Sequence, residues 1–273
     1  MAQEQAMMLV NGLNQSTLSL NDRGLLYGDG LFETIAVADG SPLELDRHVR
    51  RLHKGCDRLT IEPPDLSLLN AEAAQLCAGV ERAVLKVILT RGQGGRGYRP
   101  PAATPPTRIL LLNPWPDYPQ DYREHGIRAT LCRTRLARNP LLAGVKHLNR
   151  LEQVLARAEW RDEYQEGLLL DTEGFVVEGT MSNVFAVREG TLHTPALNVA
   201  GVAGVMRERV LEQAAAAGLA VIIGDLRLRD MVRAQALFFC NSLIGIWPVR
   251  QFGDRTFDDH PLVRELMHRL GIA

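Results

Sequence analysis

Apolar residues recur along this chain with two periods, and the switches between them predict its elements. Residues 7–12 (MMLVNG) and 31–45 (LFETIAVADGSPLEL) read as strands, with turns at Asn11-Gly12 and Asp39-Gly40. Leu45, Val49, Leu52, Cys56 and Leu59 then return at helical spacing, and a second helix is predicted over 66–80. Residues 83–91 and 108–113 read as buried strands joined by a Gly- and Pro-rich loop from Gly92 to Pro106. Farther on, LNRLEQVLARAEW (148–160) is strongly helical, with Leu151, Val154, Leu155 and Ala158 on one face. Residues 167–195 follow as a meander turning at Glu173-Gly174 and Glu189-Gly190. A helix runs from about Gly204 to a C-cap at Gly218, 236–242 is strand-like, and 261–272 closes the chain as a helix.

The stretch NPWPDYPQDY packs three prolines into ten residues without apolar periodicity. It is the linker candidate, and it divides the chain into a smaller N-terminal α/β domain (1–113), a linker (114–122) and a larger C-terminal domain (123–273). The mixed order of elements predicts an α+β fold of two domains in place of one doubly wound sheet.

Composition narrows the partners. The chain has 273 residues, is 46% hydrophobic and carries a formal net charge of -1, so it can bury a core and shows no basic block suited to nucleic acid or a membrane surface. The cysteines Cys56, Cys77, Cys132 and Cys240 lie far apart with no CxxC or metal spacing. They are expected as buried reduced thiols of a cytoplasmic protein, with no metal. The start MAQEQAMMLV, with Glu4, lacks the basic and long apolar regions of a signal peptide. No apolar run approaches the roughly 20 residues of a membrane span.

Gly92-Gln-Gly94-Gly-Arg-Gly97 fits the GxGxxG dinucleotide fingerprint, which needs a helix directly afterwards to meet a pyrophosphate. Tyr98-Arg99-Pro100-Pro101 follows instead, so the Rossmann reading is rejected. The segment reads either as a flexible hairpin tip or as a mobile loop carrying Arg91, Arg96 or Arg99 to an anion.

Four separated segments carry candidate chemistry. Lys146, just before the 148–160 helix, reads as a solvated charge or, given Leu141, Leu142, Ala143, Gly144 and Val145 before it, as a desolvated amine suited to imine chemistry. Glu178, at a strand end, either faces water or holds a heterocyclic nitrogen protonated. Arg51, on the 45–59 helix beside Arg47, His48 and Arg50, belongs to a solvated basic face or clamps a phosphate. VAGVAGVMRERV feeds a Gly-rich turn into a helix, where the backbone near Val205 and Met206 would meet a phosphate.

The ordered set YGDGLFET, LDRHVRRL, GVKHLNRLEQVL, LDTEGFVVEGTMSNVF, AGVAGVMRE and FFCNS resembles the fold-type IV pyridoxal-phosphate enzymes from about Leu9 to Val249. That superfamily holds branched-chain aminotransferases, D-amino-acid aminotransferases and aminodeoxychorismate lyases. The resemblance implies two domains of the D-amino-acid aminotransferase-like type with pyridoxal 5'-phosphate at their interface, in a homodimer. It implies Lys146 as the Schiff-base lysine, Glu178 as partner of the pyridine nitrogen, and Arg51, the backbone at Val205 and Met206, and the Ser242 hydroxyl as phosphate ligands.

TRGQGGRGY and RLARNPLLAGVKHLNRLEQVL look most like the lyase branch, whereas VEG and TMSN (177–183) read closer to the aminotransferases. The lyase branch implies conversion of 4-amino-4-deoxychorismate to p-aminobenzoate and pyruvate in folate biosynthesis, with Lys146 also the base. Thr34 and Tyr27 are then candidates for proton relay or pocket shape, against ordinary strand packing. Arg91, Arg96 and Arg135 become candidates for the two substrate carboxylates, with Asn241 facing the substrate. The alternatives are a branched-chain or D-amino-acid aminotransferase, which needs an amino acceptor, and a non-catalytic phosphate- or nucleotide-binding protein.

Overall fold

The computed structural model describes residues 7–272, which divide into two compact units. Glu4 and its neighbours, read above as lacking a signal peptide, lie outside the described residues.

Unit 1 comprises residues through Pro116 together with Val145–Asn149. Its elements are β1 (Met8–Val10), α1 (Arg23–Tyr27), β2 (Gly30–Ala38), β3 (Ser41–Pro42), α2 (Leu45–Leu59), α3 (Leu66–Cys77), β4 (Arg82–Thr90) and β5 (Thr107–Pro114). The strands form an antiparallel five-stranded sheet in the order β1-β5-β4-β2-β3. Alternation along β2 sorts its side chains. Leu31, Glu33, Ile35 and Val37 are buried, and Phe32 and Thr34 point to the other face, less covered. Gly55 of α2 lets the helix close onto Leu31, since a Cβ there would lie 2.8 Å from both Leu31 methyls. Val49, Leu52, Cys56, Leu69, Ala73 and Leu76 join that buried face in one cluster.

Unit 2 holds α4 (Asp121–Glu124), β6 (Ile127–Leu136), α5 (Leu151–Arg157), β7 (Glu166–Asp171), β8 (Val176–Gly179), β9 (Asn183–Arg188) and β10 (Thr191–Pro195). It continues with α6 (Val205–Ala216), β11 (Val221–Gly224), α7 (Leu228–Val232), β12 (Ala236–Asn241), β13 (Gly245–Phe252), β14 (Arg255–Thr256) and α8 (Pro261–Arg269). Its nine-stranded sheet runs β11-β10-β9-β12-β13-β6-β7-β8, with β14 paired to β13. Pairs β10/β11, β13/β6 and β6/β7 are parallel and the rest antiparallel, an α+β arrangement. β7, β8 and most of β9 are buried throughout, although β8 ends the sheet order.

The boundary between the two units falls between Pro116 and Asp117, within the 114–122 linker candidate, where Pro114 ends β5 and Tyr118 and Tyr122 set their rings edge-on against buried Trp247 at 4.9 and 5.3 Å. Two details differ from expectation. Residues 145–149 cluster with unit 1, because Phe32 N donates to Lys146 O (3.0 Å) and Leu148 N to Gly30 O (2.9 Å). Lys146 therefore lies on an extended segment beside β2. The helix read over 148–160 spans only Leu151–Arg157. The shared face of Leu151, Val154 and Leu155 is exposed, at 76%, 59% and 62%, and Ala156 is buried.

Candidate active site

In unit 1 the antiparallel bridge between Leu31 and His147 holds the Lys146 backbone against β2. Its Nζ lies 4.3 Å from the centroid of the Phe32 ring, a half-buried amine above an aromatic face. Thr34 shares that face of the strand, two residues on. Lys86, paired with Thr34 across β2/β4, reaches the same ring at 5.4 Å.

Beneath the sheet, Arg51 of α2 grips the buried Glu33 carboxylate. Nε donates to Oε1 at 2.8 Å and Nη2 donates to Oε2, while His48 Nδ1 lies 2.6 Å from the same Oε2. Burial alone would raise the Glu33 pKa, but the Arg51 charge and the bonds from Arg51 and His48 outweigh it and hold it at about 2. The fork of Arg51 is thereby fixed, which a phosphate contact through the rest of the guanidinium requires.

In unit 2, buried Glu178 sits on β8 with Oε2 accepting from Val202 N at 2.8 Å. Gln153 Nε2 approaches its Oε1 at 3.5 Å, and its charge acts on Arg150, whose pKa burial lowers. Asn183 Nδ2 donates to Val202 O at 2.9 Å, so the 202 residue is held at both its N–H and its carbonyl. That turn leads into α6, whose N-cap is Gly204 and whose first turn receives no side-chain cap. A Cβ at 204 would lie 2.0 Å from Asn183 Oδ1, so only glycine lets the turn close. The amides of Val205 and Met206 open the first turn of α6 directly after it. Buried Glu166, not read from the sequence, braces the preceding turn by accepting from Thr180 Oγ1 and Ser182 Oγ, each at 2.5 Å. Ser242 lies in the β12–β13 turn, half-buried.

Several candidates are engaged elsewhere. Arg91 pairs with Asp29 through Nε (2.8 Å) and caps the C-terminus of α2 through the Leu59 and Thr60 carbonyls, both at 2.7 Å. Arg135 folds back on its own strand at a bulge, donating to the carbonyls of Cys132, Arg133 and Thr134. Asn241 builds a turn, its Oδ1 accepting from Leu243 N and Ile244 N and its Nδ2 donating to Met181 O. Tyr27 Oη accepts from Gly97 N at 3.2 Å. Arg96 is exposed in the glycine-rich loop, and no helix follows that loop. Among the described residues, no group of three or more His, Cys, Asp or Glu could hold a metal ion, and no helix is long and apolar enough to cross a membrane.

The amino-transferase class IV family matches residues 30–252, and the chain belongs to it. It is similar to the 4-amino-4-deoxychorismate lyase of Pseudomonas aeruginosa, whose crystal structure superposes with a TM-score of 0.94 at 49% identity, covering 97% of this chain and 98% of that one. The aminodeoxychorismate lyase of Vibrio harveyi is 39% identical over 244 residues, 89% of this chain and 90% of the relative. The branched-chain aminotransferase of Escherichia coli aligns with a TM-score of 0.85 at 25% identity, covering 98% of this chain and 95% of the other.

Proposed function

We propose that this chain is a pyridoxal-phosphate-dependent lyase that converts 4-amino-4-deoxychorismate to p-aminobenzoate and pyruvate, a step of folate biosynthesis. The observation that carries the reading is the 49% identity to the Pseudomonas aeruginosa lyase over 97% of the chain. The two expected landmarks fit the cofactor: a half-buried lysine over the Phe32 ring, and a helix N-terminus that only glycine lets close.

When bound, pyridoxal 5'-phosphate supplies an electron sink. Lys146 would hold it through its Nζ, and that amine would then serve as the base for the proton on the ring carbon bearing nitrogen. Glu178 would keep the pyridine nitrogen protonated. Arg51, the Val205 and Met206 amides and the Ser242 hydroxyl would hold the phosphate. Thr34, on the Phe32 face of β2, hands a proton toward the enolpyruvyl oxygen as its bond to the ring breaks. Aromatisation of the ring drives that step, so the residues mainly position, deprotonate and protonate. Arg96 meets a substrate carboxylate, and Tyr27 shapes the loop that carries it.

The protein acts as a cytoplasmic homodimer. Support for the dimer comes from the exposed apolar face of α5, and for the compartment from four buried free thiols. Burial pushes the Cys56, Cys132 and Cys240 thiols up to about 12, away from easy oxidation. The test is pyruvate release from 4-amino-4-deoxychorismate without any amino acceptor. Release at enzymatic rates supports the reading, and its absence in cofactor-loaded protein rejects it.

A further inference from the structure

The glycine-rich loop after β4 offers Arg96 with a glycine on each side, so nothing local fixes where that guanidinium stands. What holds the loop is Arg23, at the start of α1, a residue to which neither the sequence pattern nor the reading above gives a role. Arg23 is 3% exposed, and a buried guanidinium must have its donors satisfied. Nε donates to Asp29 Oδ2 at 2.8 Å, Nη1 to Gly97 O at 3.0 Å and Nη2 to Tyr98 O at 3.0 Å. Its backbone N–H donates to Gly92 O at 2.9 Å. Its guanidinium stacks on the Tyr27 ring at 4.8 Å, and that tyrosine's Oη accepts from Gly97 N. Gly94 packs on its stem, since a Cβ there would lie 2.8 Å from Arg23 Cδ. Four points of the loop, at 92, 94, 97 and 98, therefore rest on this side chain and its backbone.

The segment that follows Arg23 also carries the lysine. Gly28 O accepts from Asn149 Nδ2 at 3.0 Å, Gly30 O from Leu148 N, and Phe32 N donates to Lys146 O. The loop of Arg96 and the extended segment of Lys146 thus hang on one stretch of chain, 23–32.

We propose that Arg23 is a positioning residue for substrate binding: it locks the glycine-rich loop so that Arg96 stands in a fixed place relative to Lys146. The proposal rests on the lyase reading and on Arg96 meeting a substrate carboxylate. A lysine at 23 keeps the charge but lacks the planar fork that reaches Asp29, Gly97 and Tyr98 together.

The experiment uses the cofactor-loaded enzyme with Arg23→Lys, Tyr27→Phe and Arg96→Ala, and reads steady-state constants for 4-amino-4-deoxychorismate alongside limited trypsin digestion. Trypsin cuts after Arg96 but not after Arg99, which precedes proline, so the fragment ending at Arg96 reports loop release. In Arg23→Lys that fragment is expected to form at least about tenfold faster. KM should rise on the order of tenfold with kcat nearly unchanged and the cofactor absorbance unaltered. Tyr27→Phe, which removes one hydroxyl and keeps the ring, should move both readouts the same way by less, and it decides the matter if Arg23→Lys does not fold. Unchanged cleavage overturns the lock. Faster cleavage with unchanged KM overturns its bearing on substrate. An unchanged KM in Arg96→Ala would reject the role of Arg96 instead, a failure distinct from that of the lock because the trypsin readout does not involve substrate.

Discussion

Two lysines reach the ring of Phe32, Lys146 at 4.3 Å and Lys86 at 5.4 Å, so the assignment of the cofactor lysine is a contest between named neighbours. Borohydride reduction of the yellow holoenzyme followed by peptide mapping should find the adduct on Lys146, and an adduct on Lys86 would remove the assignment. Lys146→Ala should lose several orders of magnitude in rate, because one amine both carries the cofactor and moves the proton. Glu178→Gln should keep cofactor affinity while losing most of kcat, since an amide can bond to the pyridine nitrogen but cannot hold it protonated. A rate within a few-fold of wild type would refute that role. Glu33 sets a pH limit. Its folded pKa of about 2 lies below the ordinary 4.5, so its stabilising contribution is full above that value and is lost as pH falls toward 2. Melting temperature should therefore drop as pH is lowered below about 4.5. Glu33→Gln should flatten that limb and cost about 3–5 kcal/mol at neutral pH by breaking a buried pair. A variant that keeps the wild-type acid limb would show the loss arises elsewhere.

At the scale of elements, α5 carries an apolar face that this chain leaves exposed. Leu151, Val154 and Leu155 keep the helical spacing that sequence patterning detects, but they stand exposed in this chain. Periodicity reports that a helix has an apolar face, and says nothing of whether the cover comes from the same chain. A Leu151→Glu/Leu155→Glu double variant should run as a monomer in light-scattering chromatography where wild type runs as a dimer; a monomeric wild type would leave the face without that explanation. The same limit governs what else was legible. α2 stood out by its helical spacing, β4 and β5 by their apolar runs, and α6 by the glycines that bound it at 204 and 218. β6 escaped because Arg128, Arg133 and Arg135 interrupt its pattern, and a bulge shifts its register between Leu131 and Arg135. Lys146, Glu178 and Arg51 are singled out by local motifs. Glu33, Glu166 and Arg23 are not, because what gives each its work is a partner 14 to 75 positions away: Arg51, Thr180 and Ser182, and Gly97 and Tyr98 respectively. Arg91 and Arg135 looked available in sequence only because their acceptors, the α2 C-terminal carbonyls and a strand bulge, exist only once the chain has folded.

For the molecule as a whole, the proposed roles of Lys146 and Glu178 would serve a lyase and an aminotransferase of this family alike. The two activities part over whether the enzyme needs a second substrate to restore its starting form. An aminotransferase leaves the amino group on the cofactor and consumes an oxo acid to remove it, whereas the lyase returns to Lys146 with no acceptor. The decisive measurement sets the two reactions side by side on one preparation of holoenzyme: p-aminobenzoate formation from 4-amino-4-deoxychorismate, and transamination of leucine or D-alanine with 2-oxoglutarate. Aromatic product should form the faster, at a rate that added 2-oxoglutarate does not change; transamination faster than p-aminobenzoate formation would contradict the lyase reading.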